Sequence, residues 1–202
     1  MKKKYILLLM LLLIIIISIC LIYRNNNKED TDIKVKYPIY EYYKLNKAIT
    51  ENINYYLKDN KDNYYFLYID YKDYEYKEYI SIVLYISYFT GGAHPNYEIK
   101  TINYNKSTNK FIDIDVLINR DKDILNKLSI YSREYFSNND MFNDKVVFDM
   151  MIDGTKSIKD NYKYFNITSD GLIIYFNRYQ IAPYYYGDYS ITIPYNYLDL
   201  SI

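Results

Sequence analysis

A single histidine, His94, stands in the loop Thr90 to Asn96, TGGAHPN. An imidazole in such a loop can act as a general base or ligate a metal. A protein metal site needs about three protein ligands; with no second histidine, carboxylates from elsewhere would have to supply the rest. The glycines equally permit a tight path in which His94 bonds the loop backbone, and that structural role is the expected one. Asp113 and Asp115 stand two apart, as do Asp121 and Asp123. Acid–base work by such pairs requires environments that push their pKa values apart, whereas Asp beside a helix start more often caps it. Gly-x-Ser-x-Gly, a phosphate loop and His-Glu-x-x-His do not occur in the sequence. No catalytic residue, metal or cofactor is assigned, and a non-enzyme is expected.

A second constellation is aromatic. Tyr184, Tyr185, Tyr186 and Tyr189 crowd the stretch Phe176 to Pro194, FNRYQIAPYYYGDYSITIP. Tyrosine combines a rigid apolar ring with a polar tip, which suits protein interfaces and sugar stacking alike. The competing role is packing, because the chain has 31 tyrosines and no tryptophan. That bias, with abundant Asn, Ile and Lys, is what AT-rich coding DNA of a low-GC, Gram-positive bacterium produces. Pro183 cannot donate to a strand ladder and Gly187 tolerates positive φ, so this stretch reads as a shaped loop between two strands.

The chain's 202 residues suffice for one domain or two small ones with a substantial core. Setting aside Lys2, Lys3 and Lys4 leaves 22 of the 25 basic residues against 25 acidic ones, a balance of −3. This argues against nucleic acid as a partner, since its binders need a concentrated basic face. Cys20 is the only cysteine, so neither an intramolecular disulfide nor a thiolate cage can form.

The N-terminus points to a membrane. The three lysines of the 1–5 stub precede residues 6–23, an uncharged run with only Ser18 polar. A helix of that length spans most of the hydrocarbon core at ~1.5 Å per residue, and the lysines place its N-terminus inside. The expectation is a single-pass cell-membrane anchor with the C-terminal domain extracellular. The alternative is a lipoprotein signal ending at Cys20, which would then be lipidated. Residues 24–32, polar and aperiodic, read as a tether.

The remainder, 33–202, predicts an extracytoplasmic α+β domain with a mainly antiparallel sheet and two main helices, preceded by the transmembrane helix. It divides into a strand–helix segment, 33–60, packed with a module over 61–202. Ile33 to Tyr40 alternates as a strand, and Leu45, Ile49 and Ile53 recur at helical spacing over Lys44 to Leu57. Tyr64 to Tyr76, Glu78 to Phe89 and Tyr97 to Asn105 predict strands, the second apolar enough to be central, and Lys110 to Ile112 begins a return strand. Asp113 to Ile118 predicts a helical turn. Asp121 to Phe136 predicts a helix with Asp121 at its cap. One or two short helices follow between Met141 and Lys163. The last strands are Tyr164 to Ile167, Gly171 to Phe176 and Tyr189 to Ile193, with Asp170-Gly171 as a hairpin turn and a short helix over Asn196 to Leu200.

Three segments, in order, carry a family resemblance: TGGAHPN after an apolar strand, Tyr164 to Thr168 with Asp170-Gly171-Leu172, and Tyr179 to Tyr184 with Gly187 and Ile193-Pro194-Tyr195. Over residues 32–202 the chain resembles the extracellular domain shared by RsiV-type anti-sigma factors, which sense lysozyme, and by the N-terminal part of PdaC-type peptidoglycan deacetylases. With only Met1 to Tyr5 before the apolar run and nothing after Ile202, neither effector of those families is expected. Tyr185 and Tyr186 replace the small residues usual after Ala-Pro-Tyr. The resemblance implies an envelope module binding a lysozyme-type protein or peptidoglycan. The candidate binding residues are His94, Tyr179, Gln180, Pro183, Tyr184, Tyr185, Tyr186 and Gly187. An accessory structural envelope protein is the alternative, and a cell-wall hydrolase-like enzyme using His94 a further one.

Overall fold

In the computed structural model the described residues are Met10, 13–19, 31–58 and 64–200. The apolar run beginning at Tyr79 forms the middle strand of the larger sheet, because both its faces are covered. That sheet contains β1 (Asp32–Val35), β2 (Phe66–Tyr76), β3 (Tyr79–Phe89), β4 (Asn96–Asn105) and β5 (Lys110–Phe111), in this spatial order. The short β1 pairs with β2 in parallel, and the remaining pairs are antiparallel. Helix α1 (Tyr43–Lys58) lies on one face, burying Leu45, Ile49, Ile53 and Tyr56 against Leu67, Ile82, Leu84 and Ile86. Complete burial of one such aliphatic side chain contributes roughly 1.5–3 kcal/mol, so the i, i+4 stripe suffices to fix the helix.

The last strands make a separate antiparallel sheet, β6 (Phe165–Ile167), β7 (Leu172–Phe176) and β8 (Tyr189–Ile193). One of its faces packs on helices α2 (Ile114–Arg120), α3 (Ile124–Ser137) and α4 (Lys145–Gly154), with Leu172, Ile174, Phe176, Leu128, Phe136 and Met151 in the core. Its other face meets the larger sheet, where Tyr175 joins Val83 and Ile99. A buried polar seam aligns the two sheets. Asn166 donates to the Ile82 carbonyl at 3.1 Å, Ser81 Oγ accepts from the Ile167 amide at 3.0 Å, and Asn103 donates to the Phe165 carbonyl at 2.8 Å. Helix α5 (Tyr195–Leu198) closes the chain.

Several expectations are corrected. The strands form two sheets rather than one, because β6 crosses the face of the first sheet through side-chain bonds instead of extending its ladder. The first strand stops at Val35 instead of Tyr40, since Lys36 makes the last backbone bond to Ile69 and the Pro38 segment turns away. Helix α3 begins at Ile124, with Asp123 as its N-cap residue and not Asp121. Asp121 instead accepts from the Asp123 amide and pairs with Lys127. The short helices expected between Met141 and Lys163 are the ten-residue α4 and a 3-10 turn at Lys159–Asn161.

Most of the 6–23 run and Cys20 lie outside the described residues. Residues 13–19 are helical, with exposed apolar side chains. Among the described residues, no helix is long and apolar enough to cross a membrane.

Candidate functional site

The bend between β7 and β8 is held from three sides. The Asn177 carboxamide accepts from the Ile99 amide of β4 at 3.0 Å. Gln180 donates to the carbonyls of Gly154 at 3.1 Å and Asn161 at 3.0 Å, and its carbonyl accepts from the Asn177 amide. Ile181 and Ala182 are buried. Pro183 then opens a 3-10 turn over Tyr184–Tyr186, ended by Gly187 at φ +84°. Tyr179 adopts φ +65°, unusual for a residue with a side chain, and its ring stays 57% exposed.

This fixed bend meets the His94 loop. The imidazole stacks on the Tyr184 ring with centroids 3.8 Å apart and planes 25° apart. Its Nδ1 lies 2.9 Å from the Pro95 carbonyl oxygen, which makes Nδ1 the donor, and leaves Nε2 to accept from the Tyr179 hydroxyl at 3.4 Å. Tyr184 donates to the same Pro95 carbonyl at 2.7 Å. The Arg178 guanidinium lies 3.7 Å from the Tyr97 ring centroid and 4.5 Å from that of Tyr184. Asp188 anchors its backbone, accepting from the Arg178 amide at 3.0 Å. The product is an aromatic platform with a cation held between two rings, built from loops more than 80 residues apart. Cation–π contacts of this kind contribute ~0.5–2 kcal/mol each. Its chemistry suits recognition: aromatic surface edged by hydroxyls, with the Arg178 charge paired to Asp188 at 3.6 Å.

Of the residues expected at a site, the structure brings together His94, Tyr179 and Tyr184. Gln180, Pro183 and Gly187 shape the bend. Tyr186 packs against the helical core, and Tyr185, 74% exposed, lies against Tyr186 with centroids 4.1 Å apart. Tyr189, partly buried, packs against Phe136 and Phe142. The platform residues missed from the sequence are Tyr97 and Arg178. Asp113 caps α2 by accepting from the Val116 amide at 3.0 Å, and Asp115 pairs with Lys159.

A second polar cluster lies across β4. Glu98 accepts from the Tyr56 hydroxyl at 2.7 Å and the Tyr88 hydroxyl at 2.9 Å, with Lys100 at 3.3 Å. Burial raises its pKa, but the two hydroxyl bonds and Lys100 outweigh this and hold the carboxyl below its usual range. A groove of about 360 Å³ alongside is lined by Glu51, Asn52, Tyr55, Tyr56 and Lys100.

Comparison with known proteins finds a family model that matches part of this arrangement. Residues 115–196 match the family described as "Protein of unknown function (DUF3298)". That span runs from α2 to the start of α5, so it contains the bend but neither His94 nor Tyr97. The chain is 36% identical over 115 residues to the peptidoglycan-N-acetylmuramic acid deacetylase PdaC of Bacillus subtilis (strain 168), covering 56% of this chain and 24% of that protein. The expected likeness to a PdaC-type module is thus met, with the chain spanning only about a quarter of that relative. Two solved structures share the fold. A DUF3298 family protein from Pseudomonas aeruginosa PAO1 aligns with TM-score 0.56 at 18% identity over 75% of this chain and 67% of its own. One from Bacteroides fragilis NCTC 9343 aligns with TM-score 0.51 at 20% identity over 77% and 61%.

Proposed function

We propose that this chain is a membrane-anchored, non-catalytic binding module of the bacterial cell envelope, with its folded part facing outward from residues 6–23. The observation that carries the reading is the stack of His94, Tyr184, Arg178 and Tyr97. It joins two loops into one aromatic surface, exposed at His94 and Tyr97 and half-buried at Tyr184 and Arg178. Both imidazole nitrogens are engaged, by Pro95 and Tyr179, so His94 serves as part of a surface rather than as a free base. The partial similarity to a deacetylase acting on peptidoglycan N-acetylmuramic acid supports peptidoglycan as the partner class. A lysozyme-type protein is the other partner the resemblance implies.

The test is binding of the full chain, in mild detergent, to purified peptidoglycan and separately to lysozyme. Micromolar or tighter binding to either, weakened at least tenfold by Tyr184→Ala and unchanged by Tyr43→Ala on the far side of the domain, is expected. Absence of binding to both, in folded protein, overturns the proposal.

A further inference from the structure

The platform does not end at Tyr97. Register places Tyr68 of β2, Ser87 of β3 and Tyr97 of β4 in one cross-strand row. Side chains alternate along a strand, so Phe89 and Tyr85 share the face of Ser87 on either side of it. Ser87 therefore sits between four aromatic residues, two across the sheet and two along the strand. Opposite members of this ring are about 10 Å apart across the strands and about 13 Å along β3, measured between Cα atoms. Only the serine is small, so the face dips at its position.

The rim is fixed. On the β2 side the Phe66 and Tyr68 rings stack at 4.9 Å and 23°, and Phe89 lies against Phe66 at 6.2 Å. Asp32 accepts from the Tyr68 hydroxyl, and Lys34 Nζ lies 4.8 Å from its ring centroid. On the β4 side Tyr97 is held beneath Arg178. Beyond Tyr85 the second sheet covers the face, Tyr175 packing with Val83 and Ile99. Tyr85 and Tyr97 remain exposed and Ser87 half-buried.

We infer that this basin receives one pyranose ring of an N-acetylated glycan chain, whose neighbouring units run past the Tyr97 edge toward the exposed Tyr179 ring. The inference rests on the envelope-binding reading above and names its ligand. Aromatic faces match the apolar C–H faces of a sugar. The Ser87 hydroxyl and the Asp70 carboxylate, which stands opposite Tyr85 on the same face, supply polar partners. The dip is one side chain wide. A protein surface needs roughly 1,000 Å² or more of buried area for a stable contact, whereas a single sugar ring suits a basin of this size.

The experiment titrates the full chain in mild detergent with the hexamer of β-1,4-linked N-acetylglucosamine, by calorimetry, alongside lysozyme. Ser87→Leu, which fills the basin, should reduce hexamer affinity at least tenfold. Tyr68→Ala, on the half-buried rim, should reduce it several-fold and keeps the test open if Ser87→Leu does not fold. Hexamer binding that is insensitive to both Ser87→Leu and Tyr68→Ala but lost in Tyr184→Ala overturns the basin and leaves the binding module standing. Lysozyme binding with Tyr184 dependence but no hexamer binding likewise removes the glycan and keeps the module. Loss of all binding in folded wild-type protein removes both.

Discussion

Gly154 at the end of α4 and Gln180 in the β7–β8 bend approach so closely that a Cβ on Gly154 would lie 2.0 Å from the Gln180 carbonyl oxygen. The contact is with backbone, which cannot swing aside. A Gly154→Ala substitution should therefore push helix and bend apart, a strain that typically costs about 1–3 kcal/mol. Urea denaturation would show it as a lowered midpoint at unchanged slope. An unchanged midpoint would mean that the bend is not held by α4.

The seam between the sheets gives a second outcome. Asn166 is fully buried and donates to the Ile82 carbonyl and to the Asn103 carboxamide oxygen. Asn166→Ala removes these bonds and leaves acceptors without their donor, costing about 1–3 kcal/mol. Asn166→Asp is expected to be worse at pH 7 than at pH 4. A buried carboxylate facing oxygen acceptors has its folded pKa raised, so stability present at low pH is lost as pH rises. Equal stability of Asn166→Asp at the two pH values would argue against a dry seam.

Much of this architecture is written in local periodicity. Leu45, Ile49 and Ile53 mark α1 because burial selects one face, and the apolar run of β3 marks a central strand because both its faces are covered. Pro183 and Gly187 likewise announce the bend. What periodicity cannot carry is partnership between distant segments. Nothing near Arg178 specifies that its guanidinium will lie over Tyr97, since that follows only once Asn177 is docked on Ile99. Similarly, Asn166 and Ser81 read as ordinary strand polar residues until the two sheets are crossed. Tyr185 and Tyr189 show the converse limit: adjacency in sequence placed them with Tyr184, while the turn sends neighbouring rings to different surroundings.

Tyrosine burial sets the alkaline limit of the fold. Burial pushes Tyr162 up to about 12, and burial with the bond to Glu98 pushes Tyr88 up to about 12. These folded values lie above the unfolded value near 10. The neutral rings therefore contribute fully below pH ~10, and that stability is lost as pH climbs toward the folded values. Circular dichroism and tyrosinate absorbance should show unfolding with late ionisation in one cooperative step above pH ~10. Gradual ionisation without loss of structure would contradict the buried placement.

Glu98 works in the opposite direction. Its carboxyl lies below the usual range despite burial, because Tyr56, Tyr88 and Lys100 favour the charged form. Its contribution is present above the unfolded pKa of about 4.3 and is lost as pH falls through the lower folded value. Glu98→Gln should flatten the acid limb of a stability–pH profile while weakening the fold at neutral pH. A parallel profile for the variant would show that the cluster does not couple to folding.

Tyr179 separates surface from scaffold. Its backbone stands at φ +65°, a region that costs a residue with a side chain about 1–3 kcal/mol and glycine little. Its ring is largely exposed and lies against His94 and Tyr184. Tyr179→Gly removes the ring and the strain together, so the thermal midpoint should stay level or rise slightly. Binding to peptidoglycan or lysozyme should still fall several-fold, because the platform loses one wall and the His94 ring loses its hydroxyl partner. A fall in thermal midpoint of several degrees would instead make Tyr179 a packing residue, and its left-handed backbone a feature of the fold rather than of the surface it presents.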